Sequence, residues 1–103
     1  MQTITVEELK AKLDSGESIH LVDVREPQEH TEFNIGGLLL PLGKLQTMQT
    51  DEIDELKDET IYLYCRSGNR SGQACLLLES MGFKNLVNVS GGMLAWQERI
   101  GNK

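Results

Sequence analysis

Several residue types are scarce in this 103-residue sequence, which contains two cysteines, two prolines and 5 % aromatic residues. Two cysteines without a secretory signal do not make a disulfide framework, and the ten-residue spacing of Cys65 and Cys75 matches no Cys-x-x-Cys zinc or redox motif. His20 and His30 lack a ligand spacing as well. We therefore expect at least one free thiol and no metal or cofactor.

Long apolar runs and positive charge are also scarce. Apolar runs, such as residues 38–40 and 76–78, fall far short of the roughly 20 residues that cross a bilayer. Residues 1–8 contain two glutamates and no basic segment followed by an apolar stretch, so they do not resemble a signal peptide. Sixteen acidic against ten basic residues give a net charge of −6, which disfavours binding to phosphate backbones and anionic membranes. We expect a cytoplasmic protein without nucleic-acid or membrane partners.

The composition that is present is that of an ordinary globular protein, with 39 % hydrophobic and 25 % charged residues. A domain usually needs about 100 to 200 residues, so the length predicts a single domain over residues 1–103.

Apolar periodicity predicts strands that alternate with helices. Thr5 and Glu8 form a capping-box pattern, and Pro27 suits the first position of a short helix. Helices are predicted near residues 5–15, 27–32, 73–81 and 93–100, strands at 19–24, 38–40, 61–64 and 86–89, and two short helical pieces within 42–58. This alternation is typical of an α/β fold with a mainly parallel sheet.

The segment Cys65-Arg66-Ser67-Gly68-Asn69-Arg70 stands out for chemistry, between a strand that ends at Tyr64 and a helix that begins at Ser71. Sites in open α/β sheets form beyond the carboxyl ends of strands. The helix N-terminus, two arginines and inward-pointing loop amides all favour a thiolate. The alternative is an ordinary turn with an incidental cysteine. Cys75, in contrast, lies among apolar residues and is predicted to belong to the core.

Three sequence blocks resemble the rhodanese family of sulfurtransferases in its small single-domain bacterial form. They are Tyr-Cys-Arg-Ser-Gly-Asn-Arg-Ser at 64–71, Leu-Val-Asp-Val-Arg-Glu-Pro at 21–27 with Glu29, and Gly-Gly-Met-Leu-Ala-Trp at 91–96. One block departs from the family pattern, because Asn34 replaces the histidine of the usual Gly-His-Ile-Pro-Gly-Ala stretch. That departure affects the predicted local turn more than the chemistry.

The resemblance implies a rhodanese-like three-layer fold, with a mainly parallel central sheet and helices on both faces. It also implies that Cys65 takes a sulfane sulfur from an anionic donor such as thiosulfate, holds it as a persulfide, and passes it to a thiol or cyanide acceptor, with protein thiols among the acceptors. Such chemistry needs oriented donors rather than a general base. The anion-binding residues would be Arg66, Ser67, Gly68, Asn69 and Arg70.

Two other functions compete with this interpretation. A persulfide relay or an interaction module would share the loop without efficient turnover of small substrates. A cysteine-dependent phosphatase would carry five residues between its cysteine and its arginine, whereas four residues separate Cys65 from Arg70 and the next position is Ser71. The shorter loop favours sulfur as the bound atom.

Residues outside the loop are expected to support the fold. We interpret Asp23, Arg25 and Glu29 as an ion-pair and capping set, and the glycines at 91 and 92 as a point of close backbone approach beside the loop. Trp96 is predicted to pack on the apolar face of the last helix. The acid-rich segment 51–59 is predicted to be a solvated surface.

Overall fold

A computed structural model describes residues 1–101, so the last two residues of the predicted 1–103 domain lie outside the described range. Five strands form one sheet in the order β1-β5-β4-β2-β3, and each neighbouring pair is parallel. The strands are β1 Gln2–Ile4, β2 His20–Asp23, β3 Leu38–Leu39, β4 Thr60–Tyr64 and β5 Asn85–Val89. The helices are α1 Val6–Asp14, α2 Pro27–Glu32, α3 Leu42–Gln46, α4 Asn69–Ser80 and α5 Gly92–Arg99, with a 3-10 turn at Asp54–Leu56. The predicted α/β fold with a parallel sheet is confirmed.

Side chains of the central strand β4 alternate between two apolar layers. Ile61, Leu63 and the following Cys65 pack with residues of α3 and α4, whereas Tyr62 and Tyr64 pack with residues of α1 and α5. A sheet covered on both faces explains why the strands are apolar almost throughout. The three-layer arrangement that the resemblance implied is therefore present, and Cys65 belongs to the layer that contains α4.

The predicted helix boundaries hold with one correction. The Thr5 hydroxyl accepts from the Glu8 amide at 3.1 Å, and the Glu8 carboxylate accepts from the Thr5 amide at 2.8 Å, which is the predicted capping box. Helix α4, however, begins at Asn69 rather than at residue 71 or 73. Its N-cap is Gly68, which has a φ of +101°. This left-handed conformation suits glycine and lets the helix begin at the next residue.

Strand β1 was not predicted. It pairs in parallel with β5 in the register of Gln2 with Val87, and the Ser90 amide donates to the Ile4 carbonyl at 2.8 Å. With three residues and two exposed side chains, the strand is too short to show the alternation that marks longer ones.

The turn in which the sequence departs from the family pattern is closed by Asn34. Its Oδ1 accepts from the Gly36 amide and its Nδ2 donates to the His30 carbonyl, both at 2.8 Å. Gly37 then passes close to β2 with a φ of +89°, and a Cβ there would lie 2.5 Å from the Leu21 carbonyl oxygen. The asparagine thus supplies the local hydrogen bonds that this turn needs.

The fold bears on the predicted exposure of segment 51–59 and on the search for membrane-spanning helices. The six acidic residues of segment 51–59 are all exposed, as predicted for a solvated surface. Within residues 1–101, none of the helices combines the length and apolar character required to span a membrane.

Candidate active site

Cys65 lies immediately after β4, between the ends of the neighbouring strands β2 and β5. Its loop runs through Arg66 and Ser67 to Gly68, where α4 begins. Cys65 has no solvent-exposed surface. The predicted placement at the carboxyl edge of a parallel sheet is therefore correct, and the sulfur lies under its own loop.

The Cys65 sulfur is surrounded by hydrogen-bond donors. Sγ lies 3.1 Å from the Gly68 amide nitrogen and 3.4 Å from the Ser71 hydroxyl oxygen. Burial raises the pKa of Cys65, but hydrogen bonds from the Ser71 hydroxyl and from the amides of Ser71, Gly68 and Ser67 outweigh it, so the pKa falls below the ordinary thiol value. The arrangement favours the thiolate, which is the nucleophilic form.

The two arginines that were predicted to favour the thiolate lie in different surroundings. The Arg70 guanidinium binds the Glu29 carboxylate through two hydrogen bonds of 2.7 and 2.8 Å. These bonds lower the pKa of Glu29 to about 2. Arg66 is exposed, and no salt bridge joins it to another residue of the described range 1–101. Short contacts to the sulfur therefore come from the hydroxyl and the loop amides.

Two side chains that hold the loop in place, Ser71 and Asn88, are absent from the predicted set of site residues. The Ser71 hydroxyl lies 2.5 Å from Asn88 Oδ1, and Asn88 Nδ2 donates to the Gly68 carbonyl at 3.2 Å. A hydroxyl has one proton, so the Cys65 sulfur and Asn88 Oδ1 compete for donation from Ser71, and the Gly68 amide is the donor committed to the sulfur. The signal that could have identified Asn88 is a single polar residue between Val87 and Val89 in an apolar strand.

Helix α5 holds the loop from the other side. The amides of Met93 and Leu94 donate to the carbonyls of Cys65 and Arg66, each at 2.9 Å. A Cβ on Gly92 would lie 2.3 Å from the Cys65 carbonyl oxygen, so only glycine permits this approach. The predicted close approach is confirmed at Gly92, whereas a Cβ on Gly91 would instead meet Ala95 at 2.6 Å.

A buried ion pair fixes the connection between β2 and α2. The Asp23 carboxylate accepts from Arg25 Nε at 2.9 Å and from Arg25 Nη2 at 2.8 Å, and it lies 2.8 Å from His30 Nδ1. Asp23 is fully buried, so this bidentate pairing offsets its desolvation. The predicted structural role of Asp23 and Arg25 is confirmed. Glu29 caps α2 by accepting from the Glu26 amide at 3.0 Å, and it also reaches the active loop through Arg70.

Cys75 and the histidines occupy the structural positions expected of them. Cys75 is buried in the α4 layer, where burial raises its pKa to about 12. His20 Nε2 lies 3.8 Å from an exposed Glu59 carboxylate. Across residues 1–101, no three His, Cys, Asp or Glu side chains are grouped to hold a metal ion. Trp96 is buried among the apolar residues of the α1 and α5 layer, as predicted.

The Cys65 sulfur, which accepts from a loop amide between a central parallel strand and the following helix, lies in the kind of strand–loop–helix segment that binds anions. The family model for the rhodanese-like domain matches residues 5–99. The chain therefore belongs to the rhodanese-like domain family. Proteins similar to it include some named as sulfurtransferases and one named as a sulfur carrier.

Three relatives illustrate the similarity. A sulfurtransferase of Allochromatium vinosum is 39 % identical over 94 residues, covering 90 % of this chain and 85 % of that protein. YrkF of Bacillus subtilis, whose name describes a sulfur carrier protein, is 38 % identical over 94 residues, which cover 90 % of this chain. The chain spans 49 % of the length of YrkF and 25 % of some longer relatives. The crystal structure of a rhodanese-like domain protein from Staphylococcus aureus has a TM-score of 0.79 and 35 % identity, covering 93 % of this chain and 91 % of that one.

Proposed function

We propose that the protein is a sulfurtransferase that moves a sulfane sulfur from thiosulfate, or a similar anionic donor, to a thiol or cyanide. The Cys65 thiolate attacks the outer sulfur of thiosulfate, the sulfur–sulfur bond of the donor breaks, and sulfite leaves with the electron pair. The product is a Cys65 persulfide. An acceptor thiolate or cyanide then attacks the outer sulfur of the persulfide and releases Cys65 as a thiolate.

The observation that carries this proposal is the set of donors around Cys65 Sγ, at 3.1 Å from the Gly68 amide and 3.4 Å from the Ser71 hydroxyl. Loop amides placed in this way stabilise an anionic sulfur. We assign Cys65 as the nucleophile, and we assign the donor and persulfide contacts to the loop residues Arg66, Ser67, Gly68, Asn69 and Arg70.

The arginines have unequal roles in this proposal. Arg70 shares its charge with Glu29, and its pKa is raised chiefly by that hydrogen bond and, to a smaller extent, by the charge of Cys65. Arg66 has no salt bridge within residues 1–101, so its guanidinium is the more accessible group for a sulfonate. Arg70 then contributes its charge from the edge of the site.

A persulfide relay is the second candidate, because the similar protein YrkF carries the name of a sulfur carrier. A relay would load sulfur but transfer it to a protein partner faster than to small acceptors. The phosphatase interpretation has less support. Arg70 follows Cys65 after four residues and binds Glu29, which leaves it poorly placed to enclose a tetrahedral oxyanion.

Intact-mass analysis after incubation with thiosulfate tests the proposed function. We expect the mass of one added sulfur atom, which a reductant removes. Cys65→Ser should abolish both the added mass and turnover with cyanide. Cys75→Ser, the matched control, should retain both, because the pKa of Cys75 is raised to about 12 and its thiolate is scarce. Sulfur loading of Cys65→Ser would contradict the assignment, and rapid aryl-phosphate hydrolysis would favour the phosphatase.

We further propose that residues 1–103 form one domain. Support comes from the two apolar clusters, which lie on opposite faces of a single sheet and share strands β2, β4 and β5. A single cooperative thermal transition is expected, and two separate transitions would contradict it.

A further inference from the structure

Asn88, a half-buried residue of β5, contacts both hydrogen-bond partners of the Cys65 sulfur. Its Oδ1 lies 2.5 Å from the Ser71 hydroxyl oxygen, and its Nδ2 lies 3.2 Å from the Gly68 carbonyl oxygen. The Ser71 hydroxyl and the Gly68 amide are also the groups that lie 3.4 and 3.1 Å from Sγ. Asn88 is therefore connected to the sulfur through two different donors.

These contacts fix which way the Asn88 amide faces. A backbone carbonyl only accepts hydrogen bonds, so the Asn88 atom beside the Gly68 carbonyl must be the nitrogen. The oxygen then faces Ser71, and because an amide oxygen only accepts, the Ser71 hydroxyl must donate in that contact. A single hydroxyl proton thus has two acceptors, Asn88 Oδ1 at 2.5 Å and Cys65 Sγ at 3.4 Å.

The charge on Cys65 decides which acceptor receives the proton. A neutral thiol is a weak acceptor, so the Ser71 hydroxyl donates to Asn88 while the sulfur is protonated. Hydrogen bonds to an ionised group are roughly twice as strong as neutral ones, so a thiolate draws the proton toward Sγ. Ser71 has no exposed surface, so the exchange takes place away from bulk water, where a lost hydrogen bond is costly. Ionisation of Cys65 therefore requires that the bond from Ser71 to Asn88 be given up.

We propose that Asn88 is a positioning residue that limits the ionisation of Cys65 by competing with the sulfur for the Ser71 proton. Its Oδ1 opposes the thiolate, whereas its Nδ2 holds Gly68, whose amide donates to the sulfur. The inference rests on the proposed function in one respect, because the thiolate is the form that attacks the sulfur donor. Asn88 thereby sets the pH above which Cys65 takes up sulfur.

The charged groups around Cys65 are separate from the contact between Asn88 and Ser71. The side chains of α3 and α4 that pack with Cys65 in its apolar cluster carry no charge. Within residues 1–101, no hydrogen bond joins the side chain of Asn88 or Ser71 to a charged side chain other than Cys65. Substitution of either residue leaves the neighbouring charges in place. These charges are Arg66 of the loop, Arg70 of α4 with Glu29 of α2, and Asp23 of β2 with Arg25 and His30.

A double-mutant cycle between Asn88 and Ser71 tests this role. The pKa of Cys65 is measured from the ultraviolet absorbance of its thiolate against pH, in a Cys75→Ser background that removes the other thiol. Ser71→Ala should raise this pKa by about 0.7 pH units more in Asn88→Ala than with Asn88 intact, a difference of about five-fold in the acidity constant. The reason is that the freed hydroxyl donates to the sulfur alone. Any loosening of Gly68 by Asn88→Ala occurs with and without Ser71, so it cancels from the cycle.

Two further variants serve as a substitute and a control. Asn88→Leu removes the same acceptor but keeps a side chain of similar size, so it should give a difference of the same sign if Asn88→Ala does not fold. Asn85→Ala is the matched control, because Asn85 lies on the same strand and donates to the Asp58 carbonyl at 3.3 Å. In that variant Ser71→Ala should act as it does with Asn85 present.

The sign of the difference distinguishes competition from simple support. If Asn88 only held Ser71 against the sulfur, removing Asn88 would make the effect of Ser71→Ala smaller. An effect of Ser71→Ala that is unchanged or smaller in both Asn88 variants would overturn the proposal.

The titration requires no sulfur transfer, so its failure can be told apart from failure of the proposed function. If thiosulfate does not load Cys65 but the cycle gives the expected difference, the proposed function fails and the control of ionisation by Asn88 stands. If loading succeeds and the difference is absent, the proposed function stands and the role of Asn88 is refuted. Where both hold, the pH midpoint of sulfur loading should follow the pKa of Cys65 across the four proteins of the cycle.

Discussion

Replacing Gly92 by alanine should damage both the fold and the loop, because the start of α5 touches the backbone of the active segment. The new Cβ would lie 2.3 Å from the Cys65 carbonyl oxygen and 2.7 Å from the Arg66 carbonyl carbon. These contacts are backbone atoms that cannot rotate away, and they must separate to at least 3.0 Å. The loop must therefore move away from α5.

Two physical terms set the size of the effect. An alanine in the left-handed region, where Gly92 has a φ of +52°, costs about 1 to 2 kcal/mol. Overpacking against a fixed neighbour costs about 1 to 3 kcal/mol more. The free energy of unfolding should thus fall by about 2 to 5 kcal/mol, a large share of the roughly 5 to 15 kcal/mol of a typical domain.

Urea unfolding and sulfur loading measure the two consequences. Gly43→Ala is the matched control, since a Cβ at Gly43 meets nothing within 4 Å in helix α3. That control should gain about 0.4 to 1 kcal/mol from reduced freedom of the unfolded chain, with normal loading. If Gly92→Ala unfolded at the wild-type urea concentration and loaded sulfur at the wild-type rate, our account of the α5 contact would be refuted.

Three further changes test the electrostatics of the site. Ser71→Ala removes a hydroxyl that can donate to the Cys65 sulfur, so the pKa of Cys65 should rise. Alkylation at a pH below that pKa should slow by about five-fold, the equivalent of about 1 kcal/mol. An unchanged midpoint of the alkylation rate against pH, measured in a Cys75→Ser background, would contradict this role. Arg70→Ala should lower kcat/KM for thiosulfate roughly tenfold. It should lower the free energy of unfolding by about 1 kcal/mol or less, because the side chains of Arg70 and Glu29 are 31 % and 27 % exposed. Unchanged kinetics with thiosulfate would show that Arg70 is not part of the site. The pKa of Glu29 is lowered from 4.5 to about 2, so its ion pair stabilises the fold above about pH 4.5 and loses this effect as the pH falls toward 2. Glu29→Gln should flatten that part of the stability profile in acid unfolding measurements, and an identical profile for the variant would show that the pair contributes nothing.

The parts of the fold that follow from local patterns were accessible to sequence reasoning. Capping at Thr5, the apolar strands and the loop from Cys65 to Arg70 each depend on residues close together in the chain. Strand β1 was not predicted because its partner β5 is far away in sequence and two of its three residues are exposed. The start of α4 was misplaced because a left-handed Gly68 can begin a helix as well as lengthen a loop.

In the candidate site, too, features formed by neighbouring residues could be predicted and contacts between distant residues could not. Cys65 and its loop could be predicted because they are contiguous. The contacts of Arg70 with Glu29 span 41 residues, and that of Ser71 with Asn88 spans 17. No local pattern specifies such pairs, since they depend on which strand lies beside which. The pairing of Arg70 with Glu29 was not predicted for this reason, because it joins the loop to a carboxylate on a distant helix.

The position of Cys65 within an apolar cluster makes its reactivity depend on local opening of the loop. With no exposed surface, the sulfur meets a reagent only in the fraction of molecules whose segment from Arg66 to Gly68 has moved aside. When opening is fast and reversible, the observed rate is the intrinsic rate multiplied by that fraction. Bulky and compact reagents therefore sample different openings of the same molecule. The alkylation rates of Cys65 with a series of reagents of increasing size would therefore measure the free energy that holds the loop against α5.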